Sequence, residues 1–340
     1  MARKPAGKIP SIQTLSPEAA IAGGEIRIHG KGFTNGAHPR VLLGDVQAPL
    51  IIGSDSYIIA RVPEEAVDNV VKIESGALSS TEWACEIGIP IGDNLHPVAN
   101  PAVDRDGFIY TTFSGSRGQK TTTSVFRVHP HEGPSPFLSD IMNATGLAFD
   151  NDGILYVSSR YDGIVYEVTP RGEMAVYVEG MGVATGMAFD GEGNLYVGDR
   201  SGTIFKISRS RQIYVYATLE PSIAAYHLAF GPDGYLYVTG PTTSSFDCVQ
   251  RVSDKGEVEV FYRGLGRPQG IAFDENDNLY VAGSLGGRRG VVRITPDREA
   301  SLFLSGPGIV GIAFSPSKSA TVATNSMLYR VDCGIGPREL

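Results

Sequence analysis

Short apolar runs separated by acidic, glycine-bearing turns recur along most of this 340-residue chain. Residues 186–197 (GMAFDGEGNLYV) show the unit. Met187, Ala188 and Phe189 form one apolar run, residues 190–194 a polar turn, and Leu195, Tyr196 and Val197 a second run. That pattern predicts two short strands joined by a tight hairpin. The unit returns at 146–157, 227–238 and 270–281, with weaker copies at 100–111 and 311–322. The central alanines fall at Ala102, Ala148, Ala188, Ala229, Ala272 and Ala313, in steps of 46, 40, 41, 43 and 41 residues. A period near 40 with four short strands per unit is that of β-propeller blades. The second repeat shows all four, at 147–150, 154–158, 163–168 and 174–178. Six repeats predict six blades.

The last repeat runs out of chain after its third strand, around Met327 to Val331. An unpaired edge there would invite aggregation, so the missing outer strand is expected from residues 87–91, just before the first blade. Upstream of it the alternation changes. Ile26 and Ile28 lead into Gly30-Lys31-Gly32, further strands follow at 41–52, 56–63 and 70–75, and Trp83, Cys85 and Ile87 alternate onto one face. Short strands at this spacing predict a small β-sandwich. The reading is therefore all-β: a disordered tail at 1–8, an immunoglobulin-like β-sandwich at 9–87, a six-bladed β-propeller at 88–333, and a C-terminal tail at 334–340.

The sandwich carries a specific set of landmarks. Leu15-Ser16-Pro17, Gly23-Gly24, Gly30-Lys31-Gly32-Phe33 and Val62-Pro63 come in that order, and in this the segment resembles the IPT/TIG family of immunoglobulin-like domains. The resemblance implies a spacer or interaction module. DNA-binding members use basic loops, whereas the loops here offer only Lys31, His38 and Arg40.

Composition narrows the function. The 42 glycines and 21 prolines suit a turn-rich all-β chain. A formal net charge of −8 without a basic tract argues against a nucleic-acid partner. No run approaches the ~20 apolar residues that span a bilayer. The N-terminus has no apolar segment of the signal-peptide kind, so the expected location is cytoplasmic, or exported if the start is mis-assigned. Cys85, Cys248 and Cys333 are odd in number and scattered, unlike a disulfide framework.

The repeat core, Gly-apolar-Ala-Phe-Asp followed by Leu-Tyr-Val, resembles NHL repeats, the gluconolactonase/regucalcin family and the streptogramin-lyase-like propellers. The lactonase resemblance implies a divalent metal at the top of the channel, held by a Glu, an Asn and an Asp that precede motif glycines. Here those positions are Ala99, Thr145, Thr185, Tyr226, Gln269 and Val310. A hard cation needs oxygen ligands, some of them charged, so no metal and no cofactor is expected. Lyase-type propellers use several channel histidines, and this channel offers only His227. Oriented by Asp199, it is the candidate general base; a lone histidine is more often structural than catalytic. His129 and His131 sit in a bottom loop.

Strand counting puts the acidic hairpins on the bottom face. The loops bearing Arg117, Lys120, Arg160, Arg200, Arg263, Arg267, Arg288 and Arg289 fall on the top. Asp-Gly hairpins are acidic for turn geometry alone; a cationic top face would attract an anion. The preferred reading is a non-catalytic binding or scaffold protein. Thr145, Thr185, Tyr226, His227, Gln269, Arg160 and Arg200 would hold a small polar or anionic ligand, or a partner protein's loop. The alternative is a lactonase-like hydrolase or streptogramin-lyase-like enzyme with an atypical site.

Overall fold

The computed structural model describes residues 8–35, 37–244 and 247–338, and the regular elements among them are all strands. The tail expected at 1–8 lies outside the described residues except for Lys8. Backbone contacts divide the chain into two units.

The first unit holds residues 1–89 with 288–290 and 302–307. One sheet runs Ser11–Ser16, Glu25–Lys31, Tyr57–Arg61, Leu50–Gly53. The other runs Trp83–Ala84, Val70–Ser75, Arg40–Leu43, Val46–Ala48. Period-two alternation decides what each sheet buries. Ile26 and Ile28 on one, with Val71 and Ile73 on the other, are fully buried in a shared core that also takes Cys85 and Ile87. Gly30 is required by close approach: a Cβ there would overlap the Ser11 carbonyl oxygen and the Phe33 ring. Within this unit Ala19 and Ala20 also pair in parallel with Leu304 and Ser305.

The second unit is the propeller. Its inner strands are Ala102–Val103, Ala144–Phe149, Ala184–Phe189, His227–Phe230, Ile271–Phe273 and Ile309–Phe314. Each begins an antiparallel meander; blade three continues through Leu195–Asp199, Thr203–Ile207 and Ile213–Thr218. In blade six the outermost strand is Ile89–Gly92, hydrogen-bonded beside Leu328–Val331. The strand expected from residues 87–91 thus starts two residues later and ends one later. Ile91 packs in one cluster with Leu95, Val128, Val310 and Leu328.

The repeated residues act between blades. The motif tyrosine of one blade meets the motif phenylalanine of the next edge-on: Tyr156 with Phe189 at 4.8 Å, Tyr196 with Phe230 at 4.9 Å, Tyr237 with Phe273 at 5.0 Å, Tyr280 with Phe314 at 4.8 Å. Such pairs add about 0.5–1.5 kcal/mol each beyond the area they bury. The same tyrosine hydroxyls donate to the hairpin aspartates of their own blades, Tyr196 to Asp190 at 3.1 Å and Tyr280 to Asp274 at 3.0 Å. Asp190 also accepts the backbone N–H groups of Glu192 and Asn194. The first aspartate of these hairpins is therefore spent on turn geometry and on the tyrosine hydroxyl. Burial, and then the nearby Asp104 carboxylate, pushes the Tyr110 phenol up to about 12.

The motif glycine lets successive inner strands approach. A Cβ on Gly186 would overlap the Tyr226 carbonyl oxygen, and one on Gly146 would overlap that of Thr185.

Candidate functional site

Two cavities lie on the propeller axis. The upper, of about 280 Å³, is a funnel formed where the inner strands begin. The lower, of about 270 Å³, runs along the strands themselves.

The funnel's cationic wall follows from the repeat. Thr145 and Thr185 occupy one repeat position, and Arg160 and Arg200 occupy another, immediately after the second strands Leu155–Ser159 and Leu195–Asp199. Adjacent blades thus set two guanidiniums side by side. Arg160 donates to the Gly115 carbonyl at 3.4 Å, and Arg200 to the Ile223 carbonyl at 3.0 Å. Both partners are neutral, and neither arginine has a carboxylate partner among the described residues. Burial, then the like charges of Arg200 and Arg117, pushes the Arg160 guanidinium below its ordinary value. An anion placed there would relieve that repulsion.

Of the residues expected at the site, Thr145, Thr185, Gln269, Arg160 and Arg200 line the funnel together. The threonine hydroxyls already donate inside the protein, Thr145 to the Asn143 carbonyl at 3.0 Å and Thr185 to the Gly198 carbonyl at 2.7 Å. They keep only acceptor capacity for a ligand. The Gln269 side chain is uncommitted among the described residues.

Tyr226 does not face the funnel. The residue is 2 % exposed and its side chain sits in the core between blades three and four, its hydroxyl donating to the Glu220 carbonyl. Gly198 and Gly240 leave the space; a Cβ on either would come within 2.9 and 3.1 Å of it. His227 lines the lower cavity rather than the mouth, at 3 % exposure. Asp199 does not orient it. Its carboxylate accepts the backbone N–H groups of Val183 and Ser201 at 3.1 Å and the Ser201 hydroxyl at 2.7 Å, fixing the turn after the second strand. Of the rim, Lys120 is paired with Asp140, and Arg288 donates to the Ser16 carbonyl at 2.6 Å. His129 and His131 lie in a bottom cleft, where the His129 Nδ1 accepts two backbone N–H groups of its own turn. Among the described residues no three His, Cys, Asp or Glu side chains cluster as a metal would require.

Sequence reading missed several positions. Val98, Ile223 and Asn325 also line the funnel. Asn325 follows the second strand of blade six, Ala320–Thr324, as Arg160 and Arg200 follow theirs, so the repeat register marks it. Asn100 stands where four of the other blades have glycine and blade four has His227. Its amide donates to the Ile271 carbonyl at 2.6 Å and accepts from the Ile312 N–H at 3.1 Å, clipping the first, fifth and sixth inner strands together. The last described residues, expected as part of a C-terminal tail at 334–340, are instead engaged with the propeller. Pro337 and Arg338 reach the lower cavity, and Arg338 pairs with Asp277.

Burial alone lowers the His227 imidazole to about 4 from an ordinary value near 6.5. Above about pH 6.5 the group is neutral folded or unfolded and costs nothing. Between 6.5 and 4 the unfolded chain takes up a proton that the folded chain refuses, and stability falls by about 3 kcal/mol in all. The His227→Gln variant will lose less stability than the parent between pH 7 and pH 4.5, measured by urea midpoints. Parallel losses would show that His227 carries no part of the acid sensitivity.

Residues 10–81 match the model of the IPT/TIG domain. No curated protein matches the chain in sequence. An auxiliary nutrient binding protein from Bacteroides thetaiotaomicron is similar over 98% of this chain and 98% of its own, at 12% identity and a TM-score of 0.58. A structural-genomics target proposed as a gluconolactonase is similar over 75% of this chain and 94% of its own, at 14% identity and a TM-score of 0.62. A virginiamycin B lyase from Staphylococcus aureus, solved with quinupristin, is similar over 96% and 95%, at 12% identity and a TM-score of 0.52. At these identities the likeness is one of fold. The chain combines an IPT/TIG domain with a six-bladed β-propeller of the architecture shared by gluconolactonase-like and streptogramin-lyase-like proteins.

Proposed function

We propose that the protein is a non-catalytic binding protein whose propeller funnel takes a small anionic ligand. The observation that carries this reading is the pair Arg160 and Arg200. Two guanidiniums converge on an open cavity, held by neutral carbonyls and compensated by no carboxylate among the described residues. Two positive charges in a recess with low-dielectric walls focus the field on whatever enters. A binding role also accords with the auxiliary nutrient binding proteins that share the fold. The catalytic alternative has less support, because Asp199 is committed to its own turn and His227 lies below the funnel.

The test is the double charge reversal Arg160→Glu with Arg200→Glu. Hydrogen bonds to charged groups contribute about 1.5–3 kcal/mol each, so anion affinity will fall at least tenfold, read by calorimetry against acetate, benzoate, sulfate and phosphate. For the parent, affinity will weaken as salt rises. Anion binding that ignores both the reversal and the salt would place the site elsewhere.

A further inference from the structure

The funnel is two-sided, and its second side constrains what the anion must carry. The rest of the wall is largely apolar: Val98 and Val310, with Ile223, Ala224 and Ala225 on the loop between blades three and four, beside Arg200. Ile223 is the informative residue. The residue is 50 % exposed, yet its backbone is fixed at both ends. Its N–H donates to the Pro241 carbonyl at 2.9 Å, and its carbonyl accepts the Arg200 guanidinium at 3.0 Å. One hydrogen-bonded clamp therefore presents a cation and a large apolar group together at the rim of one cavity.

Resting on the anion-binding reading, we propose that the funnel's ligand is an amphipathic monocarboxylate. Its carboxylate lies on Arg160 and Arg200, and its hydrocarbon part covers Ile223, Val98 and Val310. The neutral amides of Gln269 and Asn325, both lining the cavity, can bond to a single hydroxyl or amide group between the two ends. A polyanion fits poorly. Its second charge would face valine and isoleucine, losing water with no partner in exchange. A bare inorganic anion would satisfy the arginines and leave the apolar wall wet. A neutral alcohol would cover the wall and leave the arginines uncompensated.

The experiment is a chain-length series on the full-length protein by calorimetry: acetate, butanoate, hexanoate and octanoate, with inorganic phosphate and 1-hexanol as controls. Each methylene that reaches the wall will tighten binding by roughly threefold to fourfold, until the wall is covered. Phosphate will bind more weakly than octanoate, and hexanol more weakly than hexanoate. The Ile223→Ser variant will flatten the series, so that octanoate loses more affinity than butanoate; Arg160→Ala with Arg200→Ala will weaken every carboxylate. A flat series in the parent, or phosphate tighter than octanoate, overturns the amphipathic class while the anion reading stands. Failure of every anion to bind overturns both.

Discussion

The Ile91→Asp substitution will cost the protein about 4 kcal/mol or more. Ile91 is 9 % exposed on the strand Ile89–Gly92 and packs with Leu95, Val128, Val310 and Leu328. An aspartate there places a carboxylate among aliphatic side chains, and an uncompensated buried charge costs about 3–5 kcal/mol beyond the lost apolar contact. Total stabilities of about 5–15 kcal/mol leave little margin. The strand also completes blade six, so its detachment uncovers the edge of Leu328–Val331. Ile91→Val is the matched control, expected to cost about 0.5–1.5 kcal/mol. Urea unfolding of the three proteins measures the difference. Near-equal midpoints for the Asp and Val variants would mean that this strand does not hold the ring shut.

Gly186→Val is expected to be nearly as damaging, by about 3 kcal/mol or more, for the opposite reason. The backbone at Gly186 is ordinary, and what the site lacks is room. A Cβ would overlap the Tyr226 carbonyl oxygen and come within 3.1 Å of the His227 Cα. The clash is with the inner strand of the next blade, which a side-chain rotation cannot relieve, so two blades must separate. Gly191 is the control, because a Cβ there meets nothing within 4 Å. Gly191→Ala will be neutral, or stabilising by a few tenths of a kcal/mol through the unfolded chain. Thermal unfolding of both variants checks the pair. A Gly186→Val protein as stable as the Gly191→Ala protein would show that the motif glycine is not there to let strands approach.

These two residues also show what could be read from the sequence and what could not. The blade pattern was legible because each repeat must solve the same packing problem. A strand edge faces the axis, a Phe faces the preceding Tyr, and a glycine admits the neighbour, so the same letters recur every forty or so residues. The missing strand of blade six was legible by counting. The direction of individual side chains at the top of the channel was not. Tyr226 shares the position of Thr145 and Thr185, and position alone put all three on one ring. Size separates them: a threonine fits at the funnel, and a tyrosine turns into the blade where Gly198 replaces the equivalent Ser158. That exchange of serine for glycine is visible in the sequence, but it reads as a cavity only when the two blades are seen together. Asp199 misled for a related reason. A carboxylate beside a channel looks available until its hydrogen bonds are followed, and here both oxygens close a turn. The arginines were legible as a pair because the repeat register keeps them equivalent, whereas the apolar side of the funnel comes largely from loops, which carry no period.

The closing strand has a consequence for synthesis on the ribosome. Residues Ile89–Gly92 emerge early, but their partner Leu328–Val331 comes roughly 240 residues later, a wait of roughly ten to fifty seconds at ordinary elongation rates. Throughout that interval the nascent chain carries an orphan strand beside a growing row of blades, in a crowded setting where other strands are on offer. The strand is composed for such a wait. It is four residues long, Pro90 in its middle has no N–H to donate, and glycines 88 and 92 flank its core. Its pairing is consequently weak until the ring is ready to hold it, which reserves the seam for Leu328–Val331.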